Sequence, residues 1–214
     1  MQVSSYTVGP VAENTYVVRP REDGKLLVVD PGDEAPILLK AIEDAGGEVE
    51  AILLTHTHFD HIGAVADIAE ATGAPVWCPE LEAPILADPN TYMSFPGLPP
   101  LRAWEAEHTI AGGETLELGG TKVEVIFTPG HSIGHVTYSF PDHGAMFSGD
   151  VIFKGSVGRT DLPGGDPKVL LDSIAKLVDS HHPETVIYPG HMEQTTLGAE
   201  KASNPFLVGI SGGT

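Results

Sequence analysis

Residues 55–63 read Thr-His-Thr-His-Phe-Asp-His-Ile-Gly, which places His56, His58, Asp60 and His61 within six positions of one another. Imidazole nitrogens and a carboxylate are borderline-to-hard donors that suit zinc, iron or manganese rather than copper(I) or an iron–sulfur cluster. The residues just before them, Glu50-Ala51-Ile52-Leu53-Leu54, read as a buried strand. A strand end holds donors rigidly and leaves their tips exposed. His56 and His58, as alternate residues, can face one ion; Asp60 and His61, where the chain turns into a helix, can face a second. Taken singly, each has a plainer explanation. Asp60 could merely cap a helix beginning near His61, and any one His could be a packed or surface residue. Four such side chains at this spacing are hard to explain by packing, and the run reads as a metal site.

Three further donors follow strands in the second half. His131 stands in Thr128-Pro129-Gly130-His131-Ser132-Ile133-Gly134-His135, Asp150 in Phe147-Ser148-Gly149-Asp150, and His191 in Tyr188-Pro189-Gly190-His191. Each comes directly after a glycine, which allows a sharp turn that exposes the next side chain. Alone, each would be a loop His or a turn Asp. The repeated arrangement, set beside the first cluster, favours one shared site.

The elements that would position these residues can be read from periodicity. Ser4 to Val8, Thr15 to Arg19 and Lys25 to Asp30 are β-rich, and Asp30-Pro31-Gly32-Asp33 is turn chemistry with Asp33 a candidate N-cap. Ile37, Leu38, Ala41, Ile42 and Ala45 form a helical stripe ended by Gly46-Gly47. A second helix, with Val65, Ile68 and Ala69 inward, closes at Thr72-Gly73. Prolines 84, 89, 96, 99 and 100 break up the stretch 79–113, expected as a helix and then a surface loop over the cleft. Tyr92, Met93, Phe95 and Trp104 are candidates for an apolar substrate wall there, with core packing or an oligomer contact as alternatives. Strands at 114–118 and 121–128 flank Gly119-Gly120, and strands at 136–140 and 145–148 flank Pro141-Asp142-His143-Gly144. A helix at 168–178, a strand at 185–188 and a short helix at 194–202 complete the pattern. Two sheets packed face to face and covered by helices would bury all of these.

Composition bounds the function. The 214 residues are 41% hydrophobic, as expected of a soluble globular protein, and residues 1–214 read as a single domain. A formal charge of −19, with 11 Lys plus Arg and no basic stripe, argues against a nucleic-acid partner. No apolar run would span a bilayer and no signal peptide is apparent, so no membrane partner is expected. The single cysteine, Cys78, rules out an intramolecular disulfide and fits a cytoplasmic location; it reads as a small buried hydrophobe. Composition leaves open whether the chain is a monomer or a homo-oligomer.

These motifs, from Asp30-Pro31-Gly32 to Gly190-His191, resemble the metallo-β-lactamase-fold hydrolases, and most of all the glyoxalase II (hydroxyacylglutathione hydrolase) branch. The resemblance implies an α+β, four-layer αββα sandwich with the site along one edge of the sheets. It implies two divalent ions, zinc before iron or manganese. His56, His58 and His131 would hold the first; Asp60, His61 and His191 the second; Asp150 would bridge them, with Asp60 and Asp150 the catalytic carboxylates. His135 is expected to support the site rather than ligate. The implied reaction is hydrolysis of a small thioester such as S-lactoylglutathione by a metal-bridging hydroxide.

The chain departs from that branch in several places. The C-terminal helical domain that helps bind glutathione is expected to be absent, and Glu193 stands where a tyrosine is expected. Arg159 keeps the basic position of the glutathione loop and is the candidate substrate-binding residue, but Thr160-Asp161 replaces the aromatic pair. Arg159 could pair with a substrate carboxylate or simply with Asp161 or Asp166. Lacking a Cys in the second half, the chain does not match the best-known β-lactamase subclass. His58 separates it from flavodiiron proteins, which carry Glu there. The stretch Gly155 to Asp161 also resembles persulfide dioxygenases, which would use His56, His131 and Asp150 around one iron. A non-catalytic metal-stabilised module and a lactone hydrolase are the remaining readings.

Overall fold

Several strands of this chain carry apolar residues at consecutive positions, and such a strand is stable only where both faces of its sheet are covered. The computed structural model, which describes residues 1–92 and 99–207, provides that cover. One sheet orders β1 (Gln2–Val8), β2 (Glu13–Arg19), β3 (Leu26–Val29), β4 (Val49–Leu53), β5 (Val76–Pro79) and β6 (His108–Ile110) side by side. β1 to β3 pair antiparallel, and β3 to β6 pair parallel. Parallel neighbours need crossovers. These contain α1 (Ala35–Ala45), α2 (Phe59–Ile62), α3 (Val65–Thr72), α4 (Ala83–Ala87) and α5 (Pro89–Tyr92).

The second sheet is built from β7 (Thr115–Leu118), β8 (Thr121–Phe127), β9 (Val136–Phe140) and β10 (Ala145–Gly149). A two-stranded ribbon, β11 (Ile152–Phe153) with β12 (Ser156–Val157), and α6 (Pro167–Ser180) come next. β13 (Val186–Pro189), β14 (Thr195–Thr196) and α7 (Leu197–Ser203) follow, giving the spatial order β14-β13-β10-β9-β8-β7.

Three buried clusters define four layers. Leu38, Ile42, Val65 and Ile68 from α1 and α3 pack on Val17, Val28, Ile52 and Val76 of the first sheet. The opposite face of that sheet, with Val18, Leu27, Val29 and Leu53, meets Val123, Val125, Tyr138 and Phe147 of the second. Met146 and Ile187 then turn outward against Leu170, Ile174 and Leu177 of α6 and Leu197 of α7. Consecutive residues such as Val28 and Val29, or Met146 and Phe147, therefore serve different layers. The order is helix, sheet, sheet, helix, as expected.

The site follows from strand direction. β8 and β10 both run antiparallel to β9, and β13 runs parallel to β10, so the C-terminal ends of β8, β10 and β13 share one end of the second sheet. The end of β4 joins them there: Thr55 O accepts a 2.9 Å hydrogen bond from Val136 N.

Some local expectations are corrected. α1 begins after Glu34, whose left-handed backbone stands at the N-cap; Asp33 accepts from the Glu34 amide and does not cap the helix. Asp60 is not a cap either, since α2 starts at Phe59 after His58 and has no side-chain cap. Ile37, counted in the α1 stripe, is exposed. Trp104 packs with Leu101 and Ala106 on the α1–α3 layer and so is not part of a substrate wall. Met93 and Phe95 lie outside the described residues. Among the described residues no helix is long and apolar enough to cross a membrane.

Candidate metal centre

The first cluster is formed by the end of β4 and the turn after β8. His56 Nε2, His58 Nδ1 and His131 Nε2 converge, at 3.1 Å between the first two, 3.2 Å between His56 and His131, and 2.8 Å between His58 and His131. The tautomers follow from their partners. Thr55 Oγ1 donates to Asp30 Oδ2 at 2.6 Å, so it accepts from His56 Nδ1 at 3.1 Å and leaves His56 Nε2 a bare lone pair. The Arg159 carbonyl can only accept, so His131 Nδ1 donates to it at 2.8 Å and presents Nε2. Burial foremost, then neighbouring imidazoles, hold the pKa of His56 well below the usual histidine range and bring His58 down to about 4. Neutral imidazoles pointing lone pairs at one spot are the donor set a divalent cation needs.

The second cluster adds the start of α2 and the turn after β13. Asp60, His61 and His191 present ligand atoms to one another, with Asp60 Oδ2 at 3.3 Å from His191 Nε2 and 3.8 Å from His61 Nε2. His61 Nδ1 donates to Asp30 Oδ2 at 3.0 Å and His191 Nδ1 to the Ala12 carbonyl at 3.2 Å, so both aim Nε2 inward. Asp150 stands between the clusters. Its Oδ2 is 3.4 Å from His131 Nε2 and 3.5 Å from His191 Nε2, and its Oδ1 is 3.4 Å from His61 Nε2. Asp150 Oδ1 and His61 Nε2 are buried yet have no hydrogen-bond partner among the described residues. Orphaned buried polar atoms are costly, and a shared cation would satisfy both.

The electrostatics of this cluster fit the same reading. Burial disfavours every charge here, but mutual attraction outweighs it. Asp150 and Asp60 hold the His61 imidazolium well above its ordinary range, and hydrogen bonds to the same two carboxylates take His191 to about 10. Asp60 and Asp150 are in turn lowered, against the pull of burial, chiefly by His61 with a contribution from His191. Two imidazolium protons thus do for two carboxylates what a divalent ion would do. The residues present fit a divalent cation.

All seven expected ligands come together at one end of the sheets. His135 does not ligate: its Nε2 accepts from Asp150 N at 3.1 Å, so its Nδ1 carries the proton and donates to Thr128 Oγ1 at 3.1 Å. Glycine has two distinct uses at these turns. Gly149 takes φ +47°, a left-handed conformation, whereas at Gly190 a Cβ would overlap Asp150 Oδ1 and crowd the His61 ring. Arg159 does not reach the centre with its guanidinium, which grips Asp161 through Nε and NH2 at 2.7 and 2.8 Å on the exposed surface. Its backbone carbonyl is what serves the site. Glu193 is likewise tied to Lys154, and Cys78 is buried at the end of β5, where burial pushes its thiol pKa up.

Four supporting residues are not evident from motifs. Asp30, read from sequence as turn chemistry, is buried; its carboxylate accepts from Thr55 N, Thr55 Oγ1 and His61 Nδ1, and so orients ligands of both clusters. Glu13 is fully buried 3.8 Å from His61 Nδ1, and burial raises its carboxyl well above the carboxylate range. Glu82, also buried, accepts from Thr57 Oγ1, Ser132 Oγ and Gly134 N at 2.7, 2.6 and 2.8 Å, joining the loops that carry His58 and His131. Asn14 donates to the Pro189 and Met192 carbonyls on either side of His191. Only the Asp-Pro-Gly sequence around Asp30 could have drawn attention to any of them.

Known proteins are similar to this chain in sequence and fold. A family model, described as the metallo-beta-lactamase superfamily, matches residues 8–191, a span that includes all seven candidate ligands. Hydroxyacylglutathione hydrolase GloC of Haemophilus influenzae is 36% identical over 183 residues, covering 84% of this chain and 86% of its own length. The crystal structure of the BLEG-1 B3 metallo-beta-lactamase superposes with a TM-score of 0.90 at 38% identity, covering 96% of this chain and 99% of that one. TTHA1623, solved in a di-iron-bound form, gives a TM-score of 0.80 at 43% identity over 96% of this chain and 100% of its own. Fold, His/Asp divalent-metal site and sequence agree: the chain belongs to the metallo-β-lactamase superfamily of metallo-hydrolases.

Proposed function

We propose that this chain is a dinuclear metal-dependent hydrolase of a small thioester. The observation that carries the reading is Asp150, whose two oxygens reach His131 on one side and His61 and His191 on the other. A mononuclear centre would not need the second three-donor cluster. His56, His58 and His131 would hold one ion and Asp60, His61 and His191 the other, with Asp150 shared. Divalent ions bound there supply a Lewis acid for the carbonyl oxygen and bring the pKa of water toward neutrality.

The chain's own groups do the rest. Asp60, kept ionised by His61 and His191, offers a carboxylate oxygen to orient the attacking water and take its proton. The water oxygen bonds to the carbonyl carbon, the carbon–sulfur bond breaks, and the proton passes to the thiolate, leaving an acid and a thiol. No protein nucleophile is required, and Cys78 is sealed in the core. The thioester reading draws support from GloC, which is named for hydroxyacylglutathione hydrolysis, and makes S-lactoylglutathione the first substrate to try.

Metal analysis combined with anaerobic turnover of S-lactoylglutathione and of neutral thioesters tests this. Two ions per chain with oxygen-independent thiol release supports it. One iron, oxygen uptake with glutathione persulfide and no thioester cleavage would replace it with the dioxygenase reading at His56, His131 and Asp150. Cleavage of a β-lactam or lactone without thioester cleavage would overturn the substrate class.

A further inference from the structure

Next to His58 opens a cleft of about 560 Å³, lined by Leu81, Pro84, Ile85, Tyr92, Ile133 and Pro163 as well as by Glu82 and His58. Its size falls in the range of roughly 300–1,000 Å³ typical of small-molecule sites. Leu81, Tyr92 and Ile133 are 48%, 57% and 47% exposed. Large apolar side chains left in water singly need no explanation, but three around one opening beside a metal centre mark a binding surface. The loop after Leu162 is built against this wall: Gly164, at φ +88°, leaves no room for a Cβ beside Ile133 Cγ2.

The charges of the cleft are as telling as its apolar wall. None of the described residues lining it is Lys or Arg. Residues 93–98 and 208–214 contain no Lys or Arg. Arg159 lines a different cavity and is paired with Asp161; Lys154, Lys168 and Arg102 are paired with Glu193, Asp172 and Asp67 plus Glu70. The one carboxylate in the wall, Glu82, is already occupied by three donors. A ligand carboxylate lying against this wall would lose water and meet no Lys or Arg side chain.

We infer that the cleft beside His58 takes an uncharged, apolar arm of the substrate, so that apolar acyl thioesters on a neutral carrier are preferred to glutathione thioesters. This rests on the thioesterase reading above and replaces only its carrier. Leu81, Ile133 and Tyr92 then determine specificity.

The test uses the metal-loaded enzyme and matched pairs: hexanoyl-N-acetylcysteamine against hexanoylglutathione, and the two lactoyl counterparts. The neutral hexanoyl thioester should have the higher kcat/KM by roughly tenfold or more, mainly through KM. Ile133→Arg should narrow or reverse that ratio by favouring glutathione. Equal or better turnover of the glutathione thioesters by the wild type would overturn the inference, as would an unchanged ratio in Ile133→Arg. If no thioester is cleaved, the thioesterase reading fails, and calorimetric binding of S-hexyl-N-acetylcysteamine against S-hexylglutathione then decides the cleft. Tighter binding of the neutral thioether supports the apolar arm; tighter binding of the glutathione conjugate overturns it.

Discussion

Asp60 combines two tasks that one atom exchange removes together. As a carboxylate it balances His61 and His191 and, in the proposed reaction, would accept a proton; as an amide it would keep its shape and lose both. Asp60→Asn should lower kcat/KM by about 10²-fold or more with the fold retained, read from steady-state kinetics beside circular dichroism. Asp30 acts one step back, through Thr55 and His61. Asp30→Asn should weaken metal binding by roughly 10–100-fold, measured by competition with a chromogenic chelator. The two residues were not equally legible. Asp60 stands in a run of donors whose spacing has no other simple explanation. Asp30 lies in an Asp-Pro-Gly turn, and only the fold shows that its left-handed backbone, at φ +46°, delivers the carboxylate beneath both clusters.

Elements bring the donors together through their ends, so the contacts between loops matter as much as the loops. Glu82, just before α4, ties the turn after β4 to the turn after β8. Glu82→Gln puts donors where Thr57, Ser132 or Gly134 must donate. It should cost about 1–3 kcal/mol, seen as a lower denaturation midpoint, and should loosen the His58–His131 cluster before the other. Gly190→Ala should be more selective: its Cβ displaces Asp150 and His61, so the expected outcome is loss of bound metal and activity together, read by elemental analysis. Strands, hairpins and the helices α1, α3 and α6 are legible from periodicity and turn residues. The ribbon of β11 and β12 and the short β6 are not, because two or three residues carry no period. Trp104 was ambiguous for another reason: a large aromatic fits a cleft wall and a core equally well, and only packing decides.

On the scale of the whole molecule, metal and stability are linked through protons. In the metal-free protein, His191 titrates at about 10 and His61 well above its ordinary range, against roughly 6.5 when unfolded. A raised histidine stabilises fully below the unfolded value, and that contribution is lost as pH rises through the folded one. Asp60 and Asp150 are lowered, so their contribution is lost only as pH falls through the carboxylate range. His56, His58 and His135 are held low by burial, so chelated protein should be most stable at about pH 6.5, weakening below it as those three histidines are forced to protonate and above it toward pH 10. Metal-loaded protein, whose ions replace the protons on His61 and His191, should show a denaturation midpoint whose lead over the chelated form widens toward pH 10. Two scans over pH, with and without chelator, check both. The seven candidate donors and the layered α+β arrangement are legible in the residues themselves, because donor type, spacing after strands and apolar period are local properties. Which atoms face inward, that Arg159 turns its carbonyl to the site, that Asp30 and Glu82 brace it, and that the described lining of the neighbouring cleft holds no Lys or Arg are visible only in the folded chain. Those depend on which distant segments meet at one end of two sheets, and no local pattern encodes that.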